Sequence, residues 1–266
     1  MPNRTRFAEL HYGSLPLVLP NAWDVPSALA LVEAGFDAIG TTSFGVAASR
    51  GTADGRRSTA DANLELAVAL RPVGRPLSFD VEDGYSDDPD VVAEYVGRLG
   101  VDGINLEDST AERLIAPDLH AAKIVAIKAL SPQLFVNARV DTYWLGEDAN
   151  VTATLDRARQ YVAAGADGVF VPGAPDVLAP NVVAALADGI DRPLNVLAVA
   201  GASLSDLAQL GVRRVSTGSL PYRAALRSAV EVAMAVRDGA TPPAASSYAA
   251  IQATLLQYED RVSRAG

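Results

Sequence analysis

A four-residue tag recurs four times along the chain: Ala34-Gly35-Phe36-Asp37, Leu99-Gly100-Val101-Asp102, Ala164-Gly165-Ala166-Asp167 and Leu210-Gly211-Val212-Arg213. Each copy follows a stretch with helical spacing and precedes a short apolar run. Its glycine suits the position just past a helix C-terminus, where φ > 0 is needed. The tag therefore marks a passage from helix to strand, and the strands it predicts are Ala38–Thr42, Gly103–Glu107, Gly168–Pro172 and Arg214–Gly218. Between them lie four untagged strand candidates, Leu15–Leu19, Leu77–Glu82, Leu134–Arg139 and Leu194–Ala198. Alanine-rich segments such as Val91–Leu99 and Val151–Ala164 read as helices by their three- and four-residue apolar spacing.

Alternating helices and buried-looking strands predict a parallel sheet. Eight such units in 266 residues have the size of an α/β protein of the (β/α)8, TIM-barrel type. An open doubly wound sheet is the rival, but no G-x-G-x-x-G follows the first strand. Nothing reads as an interdomain linker. The expectation is one barrel domain over residues 1–266, with 244–266 as a helical tail. Within the tail, Ser246–Val262 places Tyr248, Ile251, Leu255 and Tyr258 on one side, a surface for its own barrel or for a partner subunit.

The net charge of −10 excludes the basic excess that nucleic acid or an anionic membrane would require. There is no cysteine, hence no disulfide, thiolate site or cysteine nucleophile. No segment is long and apolar enough to span a bilayer, and the polar start Pro2-Asn3-Arg4-Thr5-Arg6 does not read as a signal peptide. A cytoplasmic enzyme is the expectation. His11 and His120 lie away from strand ends and read as surface residues. Lys123 and Lys128 fall in a helical stretch, which disfavours Schiff-base chemistry.

Ionisable residues collect where the strands end. Asp80-Val81-Glu82-Asp83-Gly84-Tyr85, Asn105-Leu106-Glu107-Asp108 and Asn137-Ala138-Arg139 each close an apolar run, and Asp54 follows a glycine turn. In parallel α/β folds such ends carry the chemistry. On one strand Asp80 and Glu82 would face the same side. Several carboxylates sharing a pocket call for a cation, and hard oxygen donors suit Mg²⁺ or Mn²⁺. Arg139 needs an anionic partner: a substrate carboxylate, which its planar fork matches, or a protein acid such as Glu107 or Asp141. Thr41-Thr42-Ser43-Phe44-Gly45 offers hydroxyls and backbone N–H groups for an oxyanion. Tyr85 is a candidate base or proton relay. Its alternative role is packing beneath the loop.

These motifs, taken in order, resemble the isocitrate lyase/phosphoenolpyruvate mutase superfamily from about Leu15 to Ser219. The metal motif Asp-x-Asp-x-Gly-Tyr-Gly reads here Asp80-Val81-Glu82-Asp83-Gly84-Tyr85-Ser86. Leu106-Glu107-Asp108, Ala138-Arg139 and Gly51-Thr52-Ala53-Asp54 match the remaining motifs. The resemblance implies that Asp80 binds Mg²⁺ directly and that Asp54, Glu82 and Glu107 hold its waters. It implies that Arg139 grips a substrate carboxylate, and that Thr42, Ser43 and Phe44 lie against a 2-oxo or 2-hydroxy acid. It also implies a homo-oligomer, dimer or tetramer, whose last helix is exchanged between subunits.

The departures narrow the activity. The Lys-Lys/Arg-Cys-Gly-His loop of isocitrate and methylisocitrate lyases is replaced by Asp108-Ser109-Thr110-Ala111-Glu112-Arg113-Leu114, and the lysine and asparagine of the mutase loop are absent. The expectation is a Mg²⁺-dependent carbon–carbon lyase acting on a 2-hydroxy di- or tricarboxylate, or a related 2-oxo acid, through an enolate. Asp54, Tyr85 and Arg139 are its catalytic candidates. The alternatives are an oxaloacetate-type decarboxylase, phosphonopyruvate or carboxyphosphonoenolpyruvate mutase-type chemistry, and non-catalytic 2-oxo acid binding. Glu112 is the one obvious acid on the substituted loop.

Overall fold

The structure is a computed structural model that describes residues 5–173, 179–198 and 201–265; residues 2–4 of the polar start lie outside them. The strands are β1 (Leu17–Leu19), β2 (Asn21–Ala22), β3 (Ile39–Thr41), β4 (Leu77–Asp80), β5 (Gly103–Glu107), β6 (Ser109–Thr110), β7 (Arg113–Leu114), β8 (Phe135–Arg139), β9 (Gly168–Phe170), β10 (Leu194–Leu197) and β11 (Val212–Ser216). Nine of them form one parallel sheet in the order β1-β11-β10-β9-β8-β5-β4-β3-β2, while β6 and β7 make a separate antiparallel hairpin. All eight expected strands are present, and helices such as Pro89–Leu99 and Val151–Ala163 stand between them.

All four tag glycines have positive φ: Gly35 at 89°, Gly100 at 62°, Gly165 at 110° and Gly211 at 87°. Two of the tag aspartates have a further job. Asp102 Oδ2 accepts from Leu77 N and Asp167 Oδ2 from Val136 N, each at 2.9 Å. The tag thus ends a helix and fastens the beginning of an adjacent strand.

The first strand differs from expectation. Pro20 has no N–H and divides it in two. Leu17–Leu19 pairs with β11, whereas Asn21–Ala22 pairs with β3. This crossing makes the sheet a nearly closed parallel barrel. Asn21 bridges the seam. Its Oδ1 accepts from Thr217 N at 3.0 Å and Gly218 N at 2.8 Å, and its Nδ2 donates to Thr41 O at 2.6 Å.

The main hydrophobic core lies between strands and helices, with Ile39, Phe79, Ile104, Leu106, Val136, Val169 and Val215 buried there. A second cluster of Phe7, Leu17, Leu19, Ala38 and Phe135 closes the N-terminal end of the barrel. No described helix is long and apolar enough to cross a membrane. The tail forms a helix over Tyr248–Ala265. Leu255 and Tyr258 pack on the barrel core and Tyr258 Oη donates to Ala69 O at 2.7 Å, while Tyr248 and Ile251 stay exposed. A longer exposed apolar row lies on helix Leu220–Arg237, at Leu226, Val230 and Met234.

The two histidines overturn the surface expectation: both are buried. His11 stacks on Phe135 with ring centroids 4.3 Å apart and forms part of the N-terminal plug. His120 packs against Tyr161, also at 4.3 Å. A histidine has enough apolar ring surface to fill a helix–barrel interface, a role that its distance from strand ends does not exclude. Burial pushes both pKa values down to about 3, helped by Arg214 near His11 and by Lys123 and Arg157 near His120. Unfolding at mildly acidic pH therefore takes up protons. The stability these neutral rings contribute is complete above the unfolded value of about 6.5 and is lost as pH falls toward their folded values. We expect the urea midpoint to drop between pH 7 and about pH 5 by an amount that shrinks in His120→Phe. Equal drops in wild type and variant, followed by circular dichroism, would show that His120 does not stay neutral.

Candidate functional site

The strand ends converge at the C-terminal mouth of the barrel. Asp80 closes β4 and is buried. Its Oδ2 accepts from the Ser43 hydroxyl at 3.1 Å and from Ser43 N at 3.3 Å, and its backbone N–H donates to Thr41 Oγ1 at 3.0 Å. Ser43 begins a short helix capped by Thr42, whose Oγ1 accepts from Gly45 N at 3.5 Å. The Thr-Thr-Ser-Phe segment thus reaches the site, but its first duty is to hold Asp80. Phe44 is partly exposed, with its ring 6.1 Å from that of Tyr222.

Glu82 is not on the strand. β4 ends at Asp80, and Glu82 adopts φ +48°. The expected in-strand pairing with Asp80 is therefore corrected: a left-handed turn, not strand alternation, aims this carboxylate. It is held from outside the strand. Thr59 Oγ1 donates to Oε1 at 2.6 Å and Arg57 N to Oε2 at 2.8 Å. Gly84 follows at φ +90°, where a Cβ would stand 2.5 Å from Val92 Cγ1.

Tyr85 is tucked under this turn. Its hydroxyl accepts from Asn63 Nδ2 at 2.6 Å and lies 3.0 Å from Thr59 Oγ1; Asn63 Nδ2 also donates to Asp80 O at 2.9 Å. The phenol pKa is raised well above the ordinary value, chiefly by burial. In this arrangement Tyr85 braces Thr59, which in turn holds Glu82.

Arg139 closes β8 opposite Glu107 in the register of β5 and β8. Its Nη1 pairs with Glu107 Oε1, and its Nε donates to Asp141 Oδ1 at 2.6 Å. The two protein acids named as alternatives to substrate are thus both engaged, and they take two of the five guanidinium N–H donors. Its guanidinium also lies 5.5 Å from the Trp144 ring and 5.7 Å from the Phe170 ring. Burial alone would lower its pKa, but Asp141, Glu107 and Asp80 together raise it.

Asp54 lies exposed on the loop that leads to Arg57. Burial raises the pKa values of Asp80, Glu82 and Glu107, and the charge of Asp54 adds to each. Asp80 Oδ1 is buried, and among the described residues it has no donor. A carboxylate oxygen in that setting, among others of like charge, fits a hard divalent cation. Among the described residues no three His, Asp or Glu side chains are arranged to ligate one ion together. The hard oxygen donors Asp80, Glu82 and Glu107 suit Mg²⁺ in their chemistry.

Asp83 and Asp108, the neighbouring acids, have structural roles. Asp83 pairs with Arg57 and stands 3.5 Å from Lys123 Nζ, which also donates to Asp83 O at 2.8 Å. Asp108 accepts from Tyr161 Oη at 2.7 Å, Arg157 Nη1 at 2.9 Å and Asp141 N at 2.8 Å. Burial and Asp141 raise its pKa to about 6. The segment after Glu107 folds into the β6–β7 hairpin, whose turn residues Ala111 and Glu112 have φ +48° and +60°. Glu112 is exposed at its tip. Thr59, Asn63, Arg57 and Lys123 escape sequence reading because their partners lie 17 to 40 residues away. The only signal was a lysine without solvent-facing company on an apolar helix.

Sequence and structure comparisons add relatives. The profile of the family described as phosphoenolpyruvate phosphomutase matches residues 7–237. An uncharacterized protein of Mycobacterium tuberculosis is 56% identical over 97% of this chain and 98% of its own. The 2-methylisocitrate lyase of Bacillus subtilis is 30% identical over 71% of this chain and 65% of its own, so the chain spans about two thirds of that relative. A phosphonopyruvate hydrolase solved with oxalate and Mg²⁺ shares the fold at 23% identity, with a TM-score of 0.83 over 97% of this chain and 96% of its own.

The Asp83 group gives a stability prediction. Lys123 is 0% exposed, so Asp83→Leu leaves a buried charge unpaired and should cost about 3–5 kcal/mol. Adding Lys123→Met should restore most of it. A denaturant titration in which the double variant is no more stable than the single one would refute the coupling.

Proposed function

The chain belongs to the phosphoenolpyruvate phosphomutase family, within the isocitrate lyase/phosphoenolpyruvate mutase superfamily of enzymes, and on that premise we propose a Mg²⁺-dependent lyase. It cleaves a carbon–carbon bond in a 2-hydroxy di- or tricarboxylate, or in a related 2-oxo acid. The observation that carries this reading is the unpartnered Asp80 Oδ1 set among Glu82, Glu107 and Arg139 at one end of the barrel. That arrangement joins a cation site to an anion-binding guanidinium.

Bound Mg²⁺ supplies the positive charge that stabilises the electron pair released when the carbon–carbon bond breaks. Asp80 would be its direct ligand, and Glu82, Glu107 and Asp54 would hold its waters. Ser43 fixes the Asp80 carboxylate through two hydrogen bonds, so the donor oxygen is set before substrate arrives. Arg139 holds a substrate carboxylate through Nη2, while Glu107 and Asp141 lock its plane. Thr42 and Phe44 shape the adjoining wall. Ligand binding thus aligns the scissile bond without rearranging the arginine.

Oxaloacetate-type decarboxylation is a second reading, favoured by the β6–β7 hairpin. That segment brings no acid except Glu112 at an exposed tip, and loss of CO₂ needs no loop acid to begin. We further propose that the chain acts as one barrel domain within a homo-oligomer. The exposed row on Leu220–Arg237 supports an intersubunit contact there at least as well as on the tail.

Candidate 2-hydroxy and 2-oxo acids incubated with the protein and Mg²⁺ should yield a new 2-oxo acid, or CO₂ under the second reading. Release of inorganic phosphate from a phosphonate instead would overturn both. Calorimetry should find Mg²⁺ binding abolished in Asp80→Ala and only weakened in Glu82→Gln, where a contact through water survives; unchanged affinity in Asp80→Ala rejects the ligand assignment.

Arg139→Lys keeps the charge but loses the fork. It should weaken 2-oxo dicarboxylate binding roughly tenfold or more, the loss of one charged hydrogen bond of about 1.5–3 kcal/mol. Because two protein acids also lose a partner, its melting temperature should fall as well. A lower melting temperature with undiminished oxo-acid binding by the folded protein would confine Arg139 to a structural role.

A further inference from the structure

Beneath the carboxylates the barrel interior holds a cation that pairs with no acid among the described residues. Arg214 rises from β11 and is 1% exposed. Its Nη2 donates to Asn105 Oδ1 at 3.0 Å and its Nε to Ser216 Oγ at 3.2 Å. Around the barrel, β5 lies opposite β11, so this side chain spans the interior from one wall to the other. The surrounding residues are polar too: Asn137 Nδ2 donates to the same Asn105 oxygen at 2.9 Å, and Asn195 Nδ2 to Ser216 Oγ at 3.0 Å. Arg214 Nη1 is buried without a protein partner.

A buried guanidinium ordinarily pairs with a carboxylate. Arg214 instead meets an amide and a hydroxyl. Burial lowers its pKa to about 9 against the opposing charge of Asp80, so it is still a cation at neutral pH. Asn105, which it grips, is the residue in register with Asp80 on the neighbouring strand. The cation is thus held by the residue beside the strand end that carries the carboxylate at the centre of the site.

Filling space does not account for such a residue. Barrel interiors are commonly packed with branched apolar side chains, and apolar replacement of buried ionic groups is often neutral or stabilising. A fixed charge in a poorly screened interior acts on whatever charge enters above it, with opposite sign for cations and anions. We propose that Arg214 is a positioning residue whose charge sets the electrostatic balance of the site from beneath, loosening its hold on the divalent cation and tightening its hold on the anionic substrate.

This inference rests on the metal and oxo-acid reading, and the test keeps the two apart. Mg²⁺ affinity, and oxalate affinity at saturating Mg²⁺, are measured by calorimetry on wild type, Arg214→Gln, Arg214→Met and Arg214→Lys. The neutral variants should bind Mg²⁺ more tightly and oxalate more weakly, each by roughly tenfold. Arg214→Lys, which keeps the charge, should stay near wild type for both ligands even if its melting temperature falls. A purely structural strut would lower melting temperatures and leave both affinities of the folded protein unchanged, or shift them in the same direction. Either result overturns the proposal, as does loss of folding in both neutral variants, which would assign Arg214 to the fold. A wild type that binds neither ligand sinks the metal and oxo-acid reading and this inference with it.

Discussion

Everything at the mouth of the barrel depends on the seam at Pro20 and Asn21. A parallel sheet becomes a barrel only when its first and last strands meet, and here one short strand serves both neighbours by breaking at a proline. The Asn21 side chain then ties together backbone groups beyond β11 and at the end of β3. Closure brings the ends of β3, β4, β5 and β8 around one space. Register alone sets Arg139 beside Glu107; closure curves those neighbouring strand ends into a pocket.

The charges inside that space are arranged with little slack. Arg139 is fixed by two acids, Asp83 ties Arg57 to Lys123, and Asp108 gathers Tyr161, Arg157 and the Asp141 backbone. Each group removes charges from water, which is costly unless geometry compensates. Among the described residues, the charged atoms left buried without a partner are an Asp80 oxygen and an Arg214 nitrogen. Polar atoms of this kind persist where a site has work to do.

Much of this was legible in the chain. The Gly-containing tag announced helix ends and strand starts, because positive φ and strand burial are local demands that leave local traces. The carboxylates at strand ends were legible for the same reason. Glu82 was expected in the site but on the wrong backbone, since a left-handed turn at a glutamate has no signature apart from the glycine that follows. Tyr85 was named from its position in the motif, but its partners Asn63 and Thr59 carry no trace in the neighbouring sequence. The histidines were misplaced because the ring's apolar faces, not its nitrogens, determined where they packed.

The sequence by itself determined the alternation of elements, the family, and which acids and arginine stand at strand ends. These follow from periodicity and from short-range steric rules. The tertiary structure decided which of those charges touch. It pairs Arg139 with Glu107 and Asp141, lays Ser43 against Asp80, and carries Arg214 across the barrel to Asn105, 109 residues away in sequence. Such pairings depend on barrel closure and strand register. A side chain's partner and its protonation are properties of the folded surroundings, and no local pattern records them.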